Sequence, residues 1–160
     1  MSTLKVGTIQ DHANSTTAMT IDSGGRILQP EKPHFHVTKN DGHVGASTTI
    51  VWNNVIRDTE SAYNTSTGIY TIPSGLTGLW WFGVSVLANL TPYTEITLRV
   101  GAVGTFNNRN ASPNNVNSSA TINAAYYATA GDEILIRTEA SSSMYGTGNQ
   151  YSFWTGYFIG

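Results

Sequence analysis

Two imidazoles one residue apart, His34 and His36, are the first candidates for chemistry in this chain. On a strand, side chains at i and i+2 share a face, so the pair has the geometry of a two-nitrogen chelate. Two histidines without carboxylates beside them make a thin donor set for a metal. A polar strand face explains them as simply, so no metal is assigned, and His34 with His36 stands as the alternative. Asp132 and Glu133 are adjacent, but Ca²⁺ takes about six to eight oxygens, and no dense acidic loop supplies them. Glu60, Glu95, Glu133 and Glu139 are scattered, which gives no paired-carboxylate site. Ser, His and Asp are all present, yet no nucleophile elbow, zinc-protease helix motif or phosphate-cradling glycine loop occurs. The chain therefore reads as a non-enzyme without a cofactor.

The bulk composition points the same way. The 160 residues suit one domain with a short appendage, long enough to bury about two thirds of the unfolded surface. Charged residues make up only 11% and the net charge is −2, so no basic face is available to neutralise phosphates and no nucleic-acid partner is expected. Polarity comes from Ser, Thr and Asn instead. There are no cysteines, so stability must come from packing or oligomerisation. The first residues hold no apolar run of signal-peptide length, and no window reaches the roughly 20 apolar residues of a membrane span. Synthesis in a cytosol without membrane insertion is the expectation. The sequons at Asn14, Asn64, Asn89, Asn110 and Asn117 follow from a composition rich in Asn, Ser and Thr.

The elements that must position these groups are strands. From Pro33 onward the alternation predicts strands over 34–38, 48–57, 68–72, 79–88, 94–101, 103–109, 120–128, 133–139 and 151–159. Pro/Gly/Asn turn signals separate them, and no stretch has a 3.6-residue apolar period. Many short strands between such turns argue for an all-β antiparallel sandwich or jelly roll. Residues 1–32 differ: 4–9 alternates weakly, and 18–22 with 26–29 reads as a β-hairpin around Ser23, Gly24 and Gly25. A lone hairpin is marginal in water, so Leu4, Val6, Ile9, Ile21 and Ile27 are assigned to anchoring against a partner. The expected division is an anchoring segment over 1–32 and a head domain over 33–160.

The block Tyr63, Asn64, Thr67, Gly68, Tyr70, Thr71 and Pro73, followed by Gly78, Trp80 and Phe82, resembles the globular heads of the complement C1q and tumour necrosis factor family. Gly131-Asp132 matches that family's turn. Ser152 to Ile159 matches its last strand, with Trp154 at the usual Phe site and Phe153 one position early. The resemblance spans about 33–160 and implies a jelly-roll head that is homotrimeric and binds ligands. Residues 1–32 resemble the N-terminus of structural proteins of marine tailed bacteriophages. That resemblance rests on Ser2, Thr3, Leu4, Lys5 and Val6, on Thr8, Ile9 and Gln10, on Met19, Thr20, Ile21 and Asp22, and on Gly25 and Arg26.

In the jelly roll implied by the resemblance both termini lie at the base, so alternation of strands sends loops 89–93, 110–119 and 141–150 to the tip and turns 73–78 and 129–132 to the base. The tip loops are rich in Asn, Ser and Gly with an occasional Tyr, a chemistry of adaptable recognition. Asn89, Thr91, Tyr93, Asn114, Asn115, Asn117, Tyr145, Asn149 and Gln150 are the expected ligand-binding residues. Trp80, Trp81 and Phe82 are consecutive and cannot share one strand face. Tyr126 with Tyr127, and Phe153 with Trp154, repeat the pattern. Aromatic surface on both sides implies a subunit interface besides a core, with Trp80, Tyr127 and Tyr157 divided between the two. The expectation is a homotrimeric virion protein of fibre type, docked on other virion proteins through 1–32 and binding a host-surface glycan. The alternative is a capsid decoration or head-fibre protein. A hydrolytic tailspike ranks below both.

Overall fold

The computed structural model describes residues 6–13, 15, 17–29, 32–42, 44–88, 93–100, 105–111, 117–139, 144 and 151–160. The chain divides into two compact units, residues 1–32 and 33–160.

The first unit is a three-stranded antiparallel sheet of β1 (Thr8–Gln10), β2 (Thr17–Ile21) and β3 (Ile27–Leu28), in that order. The expected hairpin is β2–β3, with Ile21 opposite Ile27. Asp22 builds its turn. Oδ1 accepts from the Gly24 and Arg26 N–H groups at 2.8 and 3.0 Å, and Oδ2 accepts from Arg26 Nε at 2.7 Å. Of the short strand expected over 4–9, Thr8 and Ile9 lie in β1, Val6 and Gly7 precede it, and Leu4 and Lys5 lie outside the described residues. Ile9 faces Met19 across the β1–β2 ladder. Period-two alternation then puts Ile9, Met19, Ile21 and Ile27 on one face. None of the described residues of this unit is buried.

The second unit is a sandwich of two five-stranded sheets, all ladders antiparallel. In chain order its strands are β4 (His34–Lys39), β5 (Asn54–Asp58), β6 (Tyr63–Asn64), β7 (Ile69–Thr71), β8 (Gly78–Ala88), β9 (Tyr93–Val100), β10 (Thr105–Ala111), β11 (Ser118–Ala128), β12 (Glu133–Thr138) and β13 (Ser152–Phe158). One sheet runs β11-β8-β13-β4-β5 and the other β10-β9-β12-β7-β6. Their inner faces enclose Trp52, Trp80, Trp154, Tyr70, Phe35 and Phe82, all fully buried. Phe35 stacks on Tyr70 at 4.2 Å between ring centroids and meets Trp154 edge-on at 4.7 Å. Aromatic contacts of this kind add about 0.5–1.5 kcal/mol each beyond burial.

The Tyr63–Pro73 block has a local physical purpose. Asn64 Oδ1 accepts from the Ser66 and Thr67 N–H groups, and Asn64 O accepts from Gly68 N–H at 2.9 Å, closing a tight turn. Gly68 has φ of +76°, and a Cβ there would lie 2.4 Å from Ile50 O. Only glycine combines that conformation with that approach.

One expected strand is corrected. The span 48–57 yields a ladder only over Asn54–Asp58. Ile50 and Trp52 are fully buried, but their backbones bond elsewhere: Ile50 N–H donates to Ile136 O at 2.8 Å, and Trp52 N–H donates to the Tyr63 hydroxyl at 2.7 Å. The span is therefore split: Thr49 makes an isolated antiparallel bridge to Arg137 of β12, Trp52 is held by a side chain, and the regular ladder begins at Asn54. The expected strand 103–109 is β10, Thr105–Ala111.

Candidate assembly face and distal loops

The ladder registers line up the strand ends. Ala88 faces Ser118, Ser152 faces Lys39, and Tyr93 faces Ala111. Thr94 Oγ1 donates to Ser118 O, and Asn110 Nδ2 donates to Ser119 O at 2.8 Å, so these ends of the two sheets meet. At the opposite end Leu79 N–H donates to Gly160 O, Phe158 N–H to Pro33 O, and Ile72 N–H to Asp132 O. The strand ends that lead into 89–92, 112–116 and 140–150 thus lie away from Pro33 and Gly160, as the alternation required.

Of the expected recognition residues, Tyr93 and Asn117 are described. Tyr93 is half-buried, with the Arg109 guanidinium carbon 3.7 Å from its ring centroid, a cation–π contact. Asn117 is exposed beside the start of β11. Asn89, Thr91, Asn114, Asn115, Tyr145, Asn149 and Gln150 lie outside the described residues.

The outer face of the β11-β8-β13-β4-β5 sheet resolves into rows. Tyr127 faces Leu79. The next row is Ala125, Trp81, Tyr157 and His34; the third is Asn123, Gly83, Thr155, His36 and Arg57; the fourth is Thr121, Ser85, Phe153, Thr38 and Asn54. Trp81 stacks on Tyr157 at 5.1 Å. Its ring lies over Gly83, where a Cβ would come within 2.3 Å of it. The missing side chain lets the indole lie flat on the sheet. Tyr127 is 65% exposed, Ile159 43%, Tyr157 42% and Phe153 37%. The undecided aromatics are therefore placed: Trp80 belongs to the core, Tyr127 and Tyr157 to the outer face. Trp154 fills the core while Phe153 points outward.

His34 and His36 do share this face, as their spacing required, and both are half-buried. His36 packs 5.9 Å from the Phe153 ring, and burial holds its pKa below the ordinary imidazole value. Among the described residues no group of three His, Cys, Asp or Glu side chains could hold a metal ion. Asp132 Oδ2 accepts from Thr129 N–H at 2.8 Å, so its carboxylate closes the turn before β12. Among the described residues, one polar cleft runs along Ser61, Asn64 and Thr71, and another runs between β10 and β11 along Asn107, Asn108, Thr121 and Asn123. Their linings offer amide, hydroxyl and backbone groups for hydrogen bonding. Sequence reasoning missed the pairing of His36 with Arg57 and the part of Gly83. Only the ladder register reveals them.

An antiparallel jelly-roll head, with a covered aromatic core and a second aromatic face left open, is the class of protein these features define. The chain belongs to the C1q domain family, whose model matches residues 34–159. Solved structures share the fold. The globular domain of zebrafish complement 1qA protein is 16% identical, with a TM-score of 0.68 over 81% of this chain and 98% of that one. The Eiger TNF of S. frugiperda is 17% identical, with a TM-score of 0.66 over 81% and 93%. The PRD1 vertex protein P5 is 11% identical, with a TM-score of 0.55 over 81% and 98%. No curated protein sequence matches the chain.

Proposed function

We propose that this chain is a homotrimeric bacteriophage virion protein whose head binds a host-surface glycan through its distal loops. The observation that carries the trimer is the row pattern of the open sheet. Leu79, Trp81, Tyr127, Phe153, Tyr157 and Ile159 form an apolar surface continuous across three strands and their ends. A monomer would leave it in water, and such patches mark association sites. Members of the C1q family are typically trimers, so copies of this chain are its natural cover.

The virion assignment is supported from two sides. A phage vertex protein shares the fold, and residues 1–32 offer Ile9, Met19, Ile21 and Ile27 on one face with none of them buried. A three-stranded sheet without a buried residue needs a partner, and in this reading other virion proteins supply it. The glycan assignment follows from the Asn- and Tyr-bearing distal loops: Asn donates and accepts hydrogen bonds, Tyr stacks on sugar faces, and three weak sites per trimer gain avidity. The vertex-protein likeness also favours the second reading, a capsid decoration or head-fibre protein. Cryo-electron microscopy of intact virions tests both. Trimer density at the tail supports host attachment, density over capsid vertices or lattice supports decoration, and absence from virions defeats the proposal.

A further inference from the structure

His36 sits in the one row of the open sheet that carries a fixed charge. Arg57 of β5 is its register partner on one side and Thr155 of β13 on the other. Thr155 Oγ1 donates to Phe35 O at 2.8 Å, so that hydroxyl is already committed to the backbone. From β13 the imidazole meets Phe153, with Tyr157 one row away. From β5 the nearest carboxylate by sequence, Asp58, lies opposite Phe35 and accepts from the Glu60 and Tyr63 N–H groups at 3.3 and 2.9 Å. On β4 itself the neighbours on this face are His34 and Thr38, and Lys39 is paired with Asp41 at 2.6 Å. Among the described residues, Arg57 is thus the charged residue in register with His36, at a bulge in the β4–β5 ladder, and no carboxylate shares the row.

Any copy that covers this sheet removes water from the row. A neutral imidazole tolerates that, whereas an imidazolium next to a guanidinium does not. We infer that His36 and Arg57 together make the assembled face acid-labile, so that copies of this chain held together at neutral pH separate when His36 takes a proton. This rests on the trimer proposed above. The sign follows from the burial: covering the row takes water from the imidazole and leaves Arg57 in register with it, so its pKa falls further on assembly. An imidazole whose pKa is lower in the covered state than in the free chain contributes association that is fully present above its free-chain value. That contribution is lost as pH falls through the lowered one. Between the two values the dissociation constant rises by up to about tenfold per pH unit for each chain that takes up a proton.

Sedimentation velocity on the full chain tests this, with a dilution series at pH 7.5, 6.5 and 5.5 and circular dichroism to follow folding. The wild type is expected to be a trimer at pH 7.5 that dissociates to folded monomers at concentrations at least about tenfold higher at pH 5.5. His36→Gln should hold the trimer at both pH values. Arg57→Gln should move dissociation to lower pH, and His34→Gln should leave the acid response in place. Equal trimer stability of the wild type at pH 7.5 and 5.5, or undiminished acid lability of His36→Gln, overturns the inference and leaves the trimer standing. A monomer at every pH overturns both.

Discussion

The Tyr63 hydroxyl holds both backbone groups of Trp52: it accepts the N–H at 2.7 Å and donates to the C=O at 3.1 Å. Trp52 lies in the core but outside any ladder, so no strand partner satisfies these groups. The hydroxyl performs the work of a missing neighbour strand. Burial pushes its pKa upward, which keeps it protonated and able to donate throughout the physiological range. Tyr63→Phe deletes the hydroxyl with little change of shape and strands two buried polar groups. The expected loss is about 1–3 kcal/mol, read as a lower denaturation midpoint at unchanged m-value. A change of less than about 0.5 kcal/mol would mean that water or relaxation satisfies Trp52 instead.

Gly156 gives a second test of the core. A Cβ there would lie 2.5 Å from Phe35 Cε1 and 2.9 Å from Phe82 Cδ1, two fully buried rings. Gly156→Ala must push one of them off its rotamer, and overpacking of this kind costs about 1–3 kcal/mol. Gly45→Ala is the control, since nothing lies within 4 Å of its added carbon. Thermal melts of the two variants should separate clearly, with Gly156→Ala the lower. Coincident melts would show that the Phe35–Phe82 corner is slack.

The face and the core can be separated by substitution. Trp81 stacks on Tyr157 on the open sheet, whereas Trp80, one residue away, is fully buried. Trp81→Glu is expected to convert the trimer to a folded monomer, because a carboxylate in a covered apolar row is costly. Trp80→Ala should instead lower stability by about 3–5 kcal/mol. Light scattering and circular dichroism distinguish the two outcomes. A Trp81→Glu chain that remains trimeric would move the interface to another surface.

These residues also show where sequence was legible. The two-sided aromatics were visible as consecutive pairs, and the Tyr63–Pro73 block marked the jelly roll because its turn needs an Asn cap and a left-handed glycine. The hairpin of β2 and β3 was visible in its turn residues. The side on which each aromatic lies was not legible, because parity along a strand needs a register, and register comes from partners far away in the chain. The same limit hid the His36–Arg57 row. The span 48–57 was read as one strand for a different reason: Ile50 and Trp52 alternate because both are buried, yet Thr49 bridges β12 while a side-chain hydroxyl holds Trp52, and alternation does not show that break. The distal loops were found by counting strand reversals, and of their proposed contacts Tyr93 and Asn117 have a described setting. Tyr93 is engaged with Arg109, a pairing that nothing in its loop composition announced.

Asp22 supplies the last prediction, one of pH. Its carboxylate accepts from the backbone N–H groups of Gly24 and Arg26 and from Arg26 Nε. Those bonds, the backbone and side-chain contributions of Arg26 foremost, hold its pKa below the ordinary 3.8. A carboxylate with a lowered folded-state pKa contributes stability that is present above its unfolded value and is lost as pH falls through the folded one. The β2–β3 turn should therefore keep its order at pH 5 and loosen only below the ordinary carboxylate range. The Gly24 and Arg26 amide resonances of the full chain report this directly. Their acid titration is expected to have a midpoint below 3.8, and Asp22→Asn, which keeps the shape but not the charge, should abolish it. A midpoint at or above that value would show that the turn is organised without the Asp22–Arg26 pair.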